Sequence, residues 1–161
     1  MNIIIKNKFL LYKEYKFKCC IGKAGIKKNR IEGDKSTPRG IFSLGKLYYR
    51  IDRIKKINSN LSCKIIKKKM GWCHDPINSK YNKEVNLKKI KNAEKLFRTD
   101  YKYDAFININ YNLNPVIKNK GSAIFLHLTK NYKPTAGCIA IKKNDFLKLV
   151  EIISAKTKIE I

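Results

Sequence analysis

The chain has 161 residues, of which 43% are hydrophobic, so it is long and apolar enough to form one folded domain with a continuous core. Its 37 Lys and Arg residues against 12 Asp and Glu give a formal net charge of +25. Only five of the basic residues are Arg, and no base-stacking or helix-turn-helix motif is present, which disfavours a nucleic-acid reader. The charge is then either a solvated lysine-rich surface or a means of attracting a polyanion.

No segment of the sequence is suited to spanning a membrane, because no apolar run approaches the roughly 20 residues that a spanning helix needs. The apolar stretches at residues 3–5 and 9–11 are separated by Lys6, Asn7 and Lys8, and no small-residue cleavage site follows them. A signal peptide needs an uninterrupted apolar segment before such a site. We therefore expect no membrane span, and no signal peptide is visible in this chain.

The five cysteines have irregular spacing and form no CxxC motif. Cys19 and Cys20 are adjacent in a predicted strand, so they point to opposite faces and do not form a chelating pair. A zinc site built from Cys73, His74 and Cys138 is the one metal alternative, and it is disfavoured by spacing. We expect most of the cysteines to be small buried apolar side chains, with Cys138 as the exception.

The first half of the chain is predicted to contain short strands separated by turns. Strands are predicted over residues 2–5, 9–12, 15–21 and 41–44. The pair Asn7 and Lys8 is predicted to form the turn of a hairpin between the first two strands. Residues 22–40 are rich in Gly, Asp and Pro and predict a structured loop, whereas residues 50–69 show no clear period and receive no assignment.

The second half is predicted to combine strands with two helices. Helices are expected over residues 87–98 and from Asp145 to about Ser154, the second one capped by Asn144. Strands are predicted over residues 105–111, 122–127, 138–141 and 157–161. Many short strands with few helices predict a mainly β fold, a sandwich or barrel with accessory helices. No repeat or linker divides the chain, so residues 1–161 are expected to form a single domain.

A histidine and a cysteine near the ends of two predicted strands are the strongest candidates for chemistry. His127 closes one apolar strand, and Cys138 opens the next, eleven residues later. If the strands are neighbours, the imidazole meets the thiol at the sheet edge and raises its thiolate fraction. Gly137 leaves space for a substrate carbonyl, and the amides of Gly137 and Cys138 are candidate oxyanion donors. The alternative is that His127 only ends a strand and Cys138 fills the core.

The sequence around this pair, with the loop GDKSTPRG at residues 33–40, resembles the L,D-transpeptidase catalytic domain of the YkuD family. In that family a conserved His precedes a Ser/Thr-x-Gly-Cys motif, matched here by His127 and by Thr135 to Cys138. The segments at residues 71–76, 81–82 and 111–112 are typical of a compact, single-domain branch. The resemblance implies an L,D-transpeptidase-like β-sandwich with a few accessory helices.

The resemblance also implies a reaction on peptidoglycan stem peptides. Cys138 would be the nucleophile, His127 its base, and the carbonyl of Leu128 the group that orients the imidazole, with no metal or organic cofactor. The substrate places the enzyme in the periplasm or cell envelope of a bacterium. Residues expected to contact the substrate are Thr135, Trp72, Asp75, Tyr81 and Asn82, with Trp72 and Tyr81 open to a core role and Asp75 proposed to meet a diamino-acid amine.

Two positions depart from the pattern common in the family. Ala136 stands where many members carry a second His, and Ala140 stands where many carry Arg or Asn. The first change leaves His127 as the only base, and both weaken the inference about substrate. Three alternatives therefore stay open: an L,D-carboxypeptidase or amidase on the same fold, a non-catalytic cell-wall binding module, and a basic nucleic-acid binding module.

Overall fold

The computed structural model describes all 161 residues and contains fourteen β-strands and one α-helix. The elements are β1 (Ile3–Lys6), β2 (Phe9–Tyr12), β3 (Tyr15–Cys20), β4 (Ile26–Lys27), β5 (Thr37–Pro38), β6 (Ile41–Tyr49), β7 (Cys63–Ile65), β8 (Met70–Trp72), β9 (Glu84–Asn86), β10 (Glu94–Lys95), β11 (Ala105–Ile109), β12 (Phe125–Leu128), β13 (Ile139–Ile141), α1 (Lys143–Ile152) and β14 (Lys158–Glu160). The predicted mainly β fold is confirmed, with one accessory helix where two were predicted.

Nine of the strands form one sheet, and eight of them close into a ring because β6 also pairs with β11. Their order is β11-β12-β13-β3-β2-β1-β14-β6-β7, and β6 pairs additionally with β11. Strand β6 is nine residues long, which allows it to pair with three neighbours along its length. The first and last strands, β1 and β14, pair in parallel and bring the two ends of the chain together. Closure of this kind leaves few exposed strand edges.

The strands at the centre of the sheet are buried on both faces. All residues of β11, β12 and β13 are buried. One face, which includes Leu126 and Ile139, contributes to a 23-residue core that also contains the apolar side of α1. The other face, which includes Phe125 and Cys138, packs in a second, aromatic cluster of nine residues. Burial on both faces explains why these strands read as continuous apolar runs instead of alternating ones.

The hairpin prediction and one of the helix predictions agree with the structure. Asn7 and Lys8 both have positive φ, as the turn of a tight hairpin requires, and they join β1 to β2. Helix α1 begins at Lys143, two residues before the predicted start, and Asn144 lies inside it. The prediction of Asn144 as the cap is therefore wrong, because Lys142 occupies the cap position and makes no side-chain cap bond.

The helix predicted over residues 87–98 is absent. This segment forms turns and the short strand β10, which pairs with β8 in a separate three-stranded sheet. Two arginines from elsewhere bind backbone carbonyls at the end of this segment and just after it: Arg50 binds the carbonyl of Arg98, and Arg53 those of Thr99 and Asp100. These distant donors and the β8 pairing satisfy backbone groups that a helix would satisfy locally.

No helix in the structure has the length and apolar character needed to cross a membrane.

Candidate active site

Strands β12 and β13 place His127 and Cys138 on the same face of the sheet. The two strands are parallel neighbours, with Leu126 opposite Ile139 and His127 opposite Ala140. This register puts Cys138 beside Phe125, two residues before His127, and the period of two in a strand directs both side chains to one side. Because Ala140 is small, the position facing the imidazole is open. The pair predicted from the sequence is therefore brought into one site.

His127 is held as a neutral imidazole with a defined tautomer. Its side chain is 6% exposed, and Nδ1 lies 3.0 Å from the carbonyl oxygen of Leu128. A carbonyl only accepts hydrogen bonds, so Nδ1 carries the proton and Nε2 has the free lone pair. Burial lowers the pKa of His127 to about 4, although the Leu128 carbonyl opposes this shift. At neutral pH the ring is thus a base in its unprotonated form.

The thiol of Cys138 is also neutral in the resting site. Burial raises its pKa to about 12, and the charge of Glu94 adds to the shift, while the Phe125 amide and Arg30 act in the opposite direction. The sulfur makes its contacts with the backbone: Sγ donates to the carbonyl of Ala123 at 3.2 Å and accepts from the amide of Phe125 at 3.4 Å. It makes no hydrogen bond with His127 in this arrangement.

A tight turn precedes Cys138 and depends on Gly137. Gly137 has a φ of 139°, and a Cβ there would lie 2.8 Å from the carbonyl oxygen of Ser36, so no larger residue fits. The amide of Gly137 donates to Oγ1 of Thr135 at 3.1 Å, and that hydroxyl donates to the carbonyl of Cys138 at 2.5 Å. Of the two amides expected to face an oxyanion, that of Gly137 is therefore occupied, whereas that of Cys138 has no acceptor within the protein.

The loop at residues 33–40 packs beneath this turn and is organised by a buried arginine. Arg30 is 3% exposed, and its Nε donates to Oγ of Ser36 at 3.1 Å, while Nη2 donates to Asp34 at 3.3 Å. Asp34 in turn accepts from the amide and hydroxyl of Ser36. Sequence reasoning missed Arg30, although it is one of only five arginines and lies three residues before Gly33, where the loop begins.

A cavity of about 800 Å³ contains the candidate catalytic pair. The charged residues of its wall are mostly basic, with two carboxylates among them: Arg30, Lys35, Arg98, Lys102, Lys133, Glu32 and Glu94. Glu94 accepts a hydrogen bond from the hydroxyl of Tyr103, whose ring lies 5.5 Å from that of His127. Burial raises the pKa of Glu94. Sequence reasoning missed Glu94 because it assigned this segment to a helix.

The comparisons with known proteins identify the family of the chain. A family model described as YkuD, L,D-transpeptidase catalytic domain, matches residues 3–161. The chain belongs to the YkuD family. Comparison with curated protein sequences gives no significant match. Among solved structures, the chain is similar to the helical cell shape determining protein Pgp2 from Campylobacter jejuni, with 16% identity and a TM-score of 0.47. The match covers 98% of this chain and 46% of the Pgp2 chain, so this chain spans about half the length of Pgp2.

Of the residues expected to contact a substrate in this YkuD domain, only Thr135 lines the cavity. Trp72 is 4% exposed, packs edge-on against Phe125, and donates from Nε1 to Asn82 at 2.9 Å. Asn82 is buried and donates to two backbone carbonyls, and Tyr81 is buried and donates to Glu32. Trp72, Tyr81 and Asn82 are thus buried behind the cavity lining and bonded to neighbouring loops, and substrate contact by these three residues stays a prediction.

Asp75 and the zinc alternative also fall outside the site of this YkuD domain. Asp75 accepts from the amide of Ile77 in a surface turn and does not line the cavity. No group of three or more His, Cys, Asp or Glu side chains is arranged to hold a metal ion. The combination of Cys73, His74 and Cys138 considered as zinc ligands is therefore not assembled by the fold.

Proposed function

We propose that this YkuD domain is a peptidoglycan L,D-transpeptidase that acts through a thioester on Cys138. The observation that supports it most strongly is the neutral imidazole of His127, fixed by Leu128 and carrying its free lone pair on Nε2, on the same strand face as Cys138. Both residues line one cavity large enough for a peptide segment. This is the arrangement that a thiol nucleophile and its general base require.

The proposed reaction begins with a stem peptide whose scissile bond joins an L-centre to a D-centre. Cys138 Sγ attacks the carbonyl carbon while His127 Nε2 takes the thiol proton, and the carbonyl oxygen becomes an oxyanion. The amide of Cys138, which has no acceptor in the resting protein, is the donor available to it. Collapse of the intermediate breaks the C–N bond, and His127 returns the proton to the leaving amine of the terminal D-residue.

The second half-reaction releases the acyl group from sulfur. An acceptor amine gives a new peptide bond, and water gives a shortened peptide. In either case His127 takes a proton from the nucleophile, the C–S bond breaks, and the proton is returned to the departing Sγ of Cys138. The substrate places this chemistry at the cell envelope. The hydrolytic variant shares every residue of the first half-reaction, so the two activities differ only in which nucleophile reaches the thioester.

The test is to incubate the purified protein with a disaccharide-tetrapeptide and to follow D-alanine release and the intact mass of the protein. We expect D-alanine and a mass increase equal to the remaining acyl fragment. Cys138→Ala abolishes both, whereas Cys63→Ala, which removes an exposed cysteine that does not line the cavity, retains both. Adding an amine acceptor then converts the acyl group to a cross-linked product. Release of D-alanine by Cys138→Ala would exclude the thioester mechanism.

A further inference from the structure

A buried hydroxyl in the 33–40 loop reaches the backbone directly before Cys138. Thr37 is fully buried, and its Oγ1 lies 2.8 Å from the amide nitrogen of Gly22 and 2.8 Å from the carbonyl oxygen of Gly137. A hydroxyl has a single proton to donate. Because the Gly22 amide must be the donor in its contact, the Thr37 proton is directed to Gly137. The hydrogen bond joins residues that are one hundred positions apart in the sequence.

This bond fixes the orientation of the peptide group that links Gly137 to Cys138. In a trans peptide the carbonyl and the N–H point in opposite directions. Anchoring the Gly137 oxygen on Thr37 therefore turns the Cys138 N–H away from Thr37. Thr37 lies in the buried loop, whereas Cys138 lines the cavity, so the side of the peptide away from Thr37 is the side on which a substrate would lie. The Cys138 N–H has no acceptor there among the protein groups.

Gly137 alone does not determine this orientation. A φ of 139° is accessible to glycine, but glycine is also the residue with the greatest freedom to rotate away from it. A peptide rotation at this point would exchange the positions of the carbonyl and the N–H, and an oxygen would then face the reacting carbonyl. The Thr37 hydroxyl is the only side-chain group that binds the Gly137 oxygen.

We propose that Thr37 is a positioning residue, which holds the Gly137 carbonyl so that the Cys138 amide remains available to the oxyanion formed during acyl transfer. The proposal rests on Cys138 being the nucleophile of the proposed function. It predicts a selective defect: loss of the hydroxyl slows reactions that pass through an oxyanion and leaves the intrinsic reactivity of the thiol intact.

Two small probes separate these effects in the intact 161-residue chain. 4-Nitrophenyl acetate acylates a thiol through a tetrahedral oxyanion, whereas iodoacetamide alkylates it by direct displacement without one. Both rates are measured at Cys138, with mass spectrometry identifying the modified residue. For Thr37→Val we expect the ratio of acylation to alkylation to fall by roughly tenfold to a hundredfold, less than the roughly hundredfold to thousandfold cost of removing an oxyanion donor outright, because the Cys138 amide is misplaced and not removed. Thr37→Ser keeps a hydroxyl and retains a ratio close to that of the wild type.

A matched control separates positioning from general loss of stability. Thr157 is also buried, and its Oγ1 accepts from the amide of Ser154, in the turn between α1 and β14. Thr157→Val thus removes a comparable bond away from the cavity, and we expect its ratio to be unchanged. If Thr37→Val slows both probes equally, or neither, the positioning role is wrong while the nucleophile stands. If wild-type Cys138 is alkylated but never acylated, the proposed function fails and the role of Thr37 fails with it.

Discussion

The protonation state of His127 makes a quantitative prediction about stability at acidic pH. The pKa of this imidazole is lowered from its ordinary value of 6.5 to about 4 in the folded protein, chiefly by burial. Between these two values the unfolded chain binds a proton that the folded chain does not bind. The free energy of unfolding therefore falls as the pH is lowered through this window. A difference of about 2.5 pH units corresponds to about 3 kcal/mol at 1.36 kcal/mol per unit.

Replacing His127 with Gln removes the titrating group and with it this contribution. Urea unfolding of the wild type and of His127→Gln at pH 7 and at pH 4 measures the effect, since all other titrating groups are common to both proteins. We expect the wild type to lose about 3 kcal/mol more than the variant on acidification. An equal loss in the two proteins would show that His127 is not held neutral by the fold, and the assignment of a neutral general base would be wrong.

Three further substitutions test the surroundings of the pair. The Glu94 charge contributes to the raised pKa of Cys138, so Glu94→Gln should accelerate alkylation of Cys138 at pH 8 by up to about tenfold. Peptide mapping measures the rate at this residue, and an unchanged rate would contradict the electrostatic coupling. Gly137→Ala forces a Cβ to within 2.8 Å of the Ser36 carbonyl oxygen. We expect the free energy of unfolding to fall by about 1–3 kcal/mol and acyl transfer to be lost, and a variant with wild-type activity would contradict this steric argument. Asn82→Asp replaces an amide that donates to two backbone carbonyls. We expect thermal unfolding to show a loss of about 1–3 kcal/mol in the free energy of unfolding, and an unchanged midpoint would show that these two bonds do not stabilise the fold.

The parts of the fold that the sequence predicts are those determined by local pattern. The strands around Leu126 and Ile139 are continuous apolar runs, and the hairpin at Asn7 and Lys8 separates two such runs. The layer formed by β8, β9 and β10 has strands of two or three residues, too short to show a period. Its conformation depends on pairing between segments and on carbonyls bound by distant arginines, neither of which leaves a local signal.

The same division applies to the site. His127, Leu128 and Cys138 are within a short stretch of sequence, and a motif was sufficient to select them. Arg30, Glu94 and Thr37 reach the site from other parts of the chain, and their contacts exist only after folding. Conversely, Trp72 and Asn82 have the residue types expected of a binding groove, but their polar atoms are used to connect the loops behind it.

The resting proton arrangement determines how the proposed reaction begins. Burial raises the pKa of the Cys138 thiol to about 12 and lowers that of the His127 imidazole to about 4, so transferring the proton from thiol to imidazole ahead of attack is strongly unfavourable. A preformed thiolate–imidazolium pair is therefore a minor species. Proton transfer to His127 is instead coupled to attack, because the negative charge then moves from sulfur to a carbonyl oxygen that the Cys138 amide can bind. On this reasoning the substrate carbonyl completes the site, and a buried neutral thiol is compatible with a nucleophile.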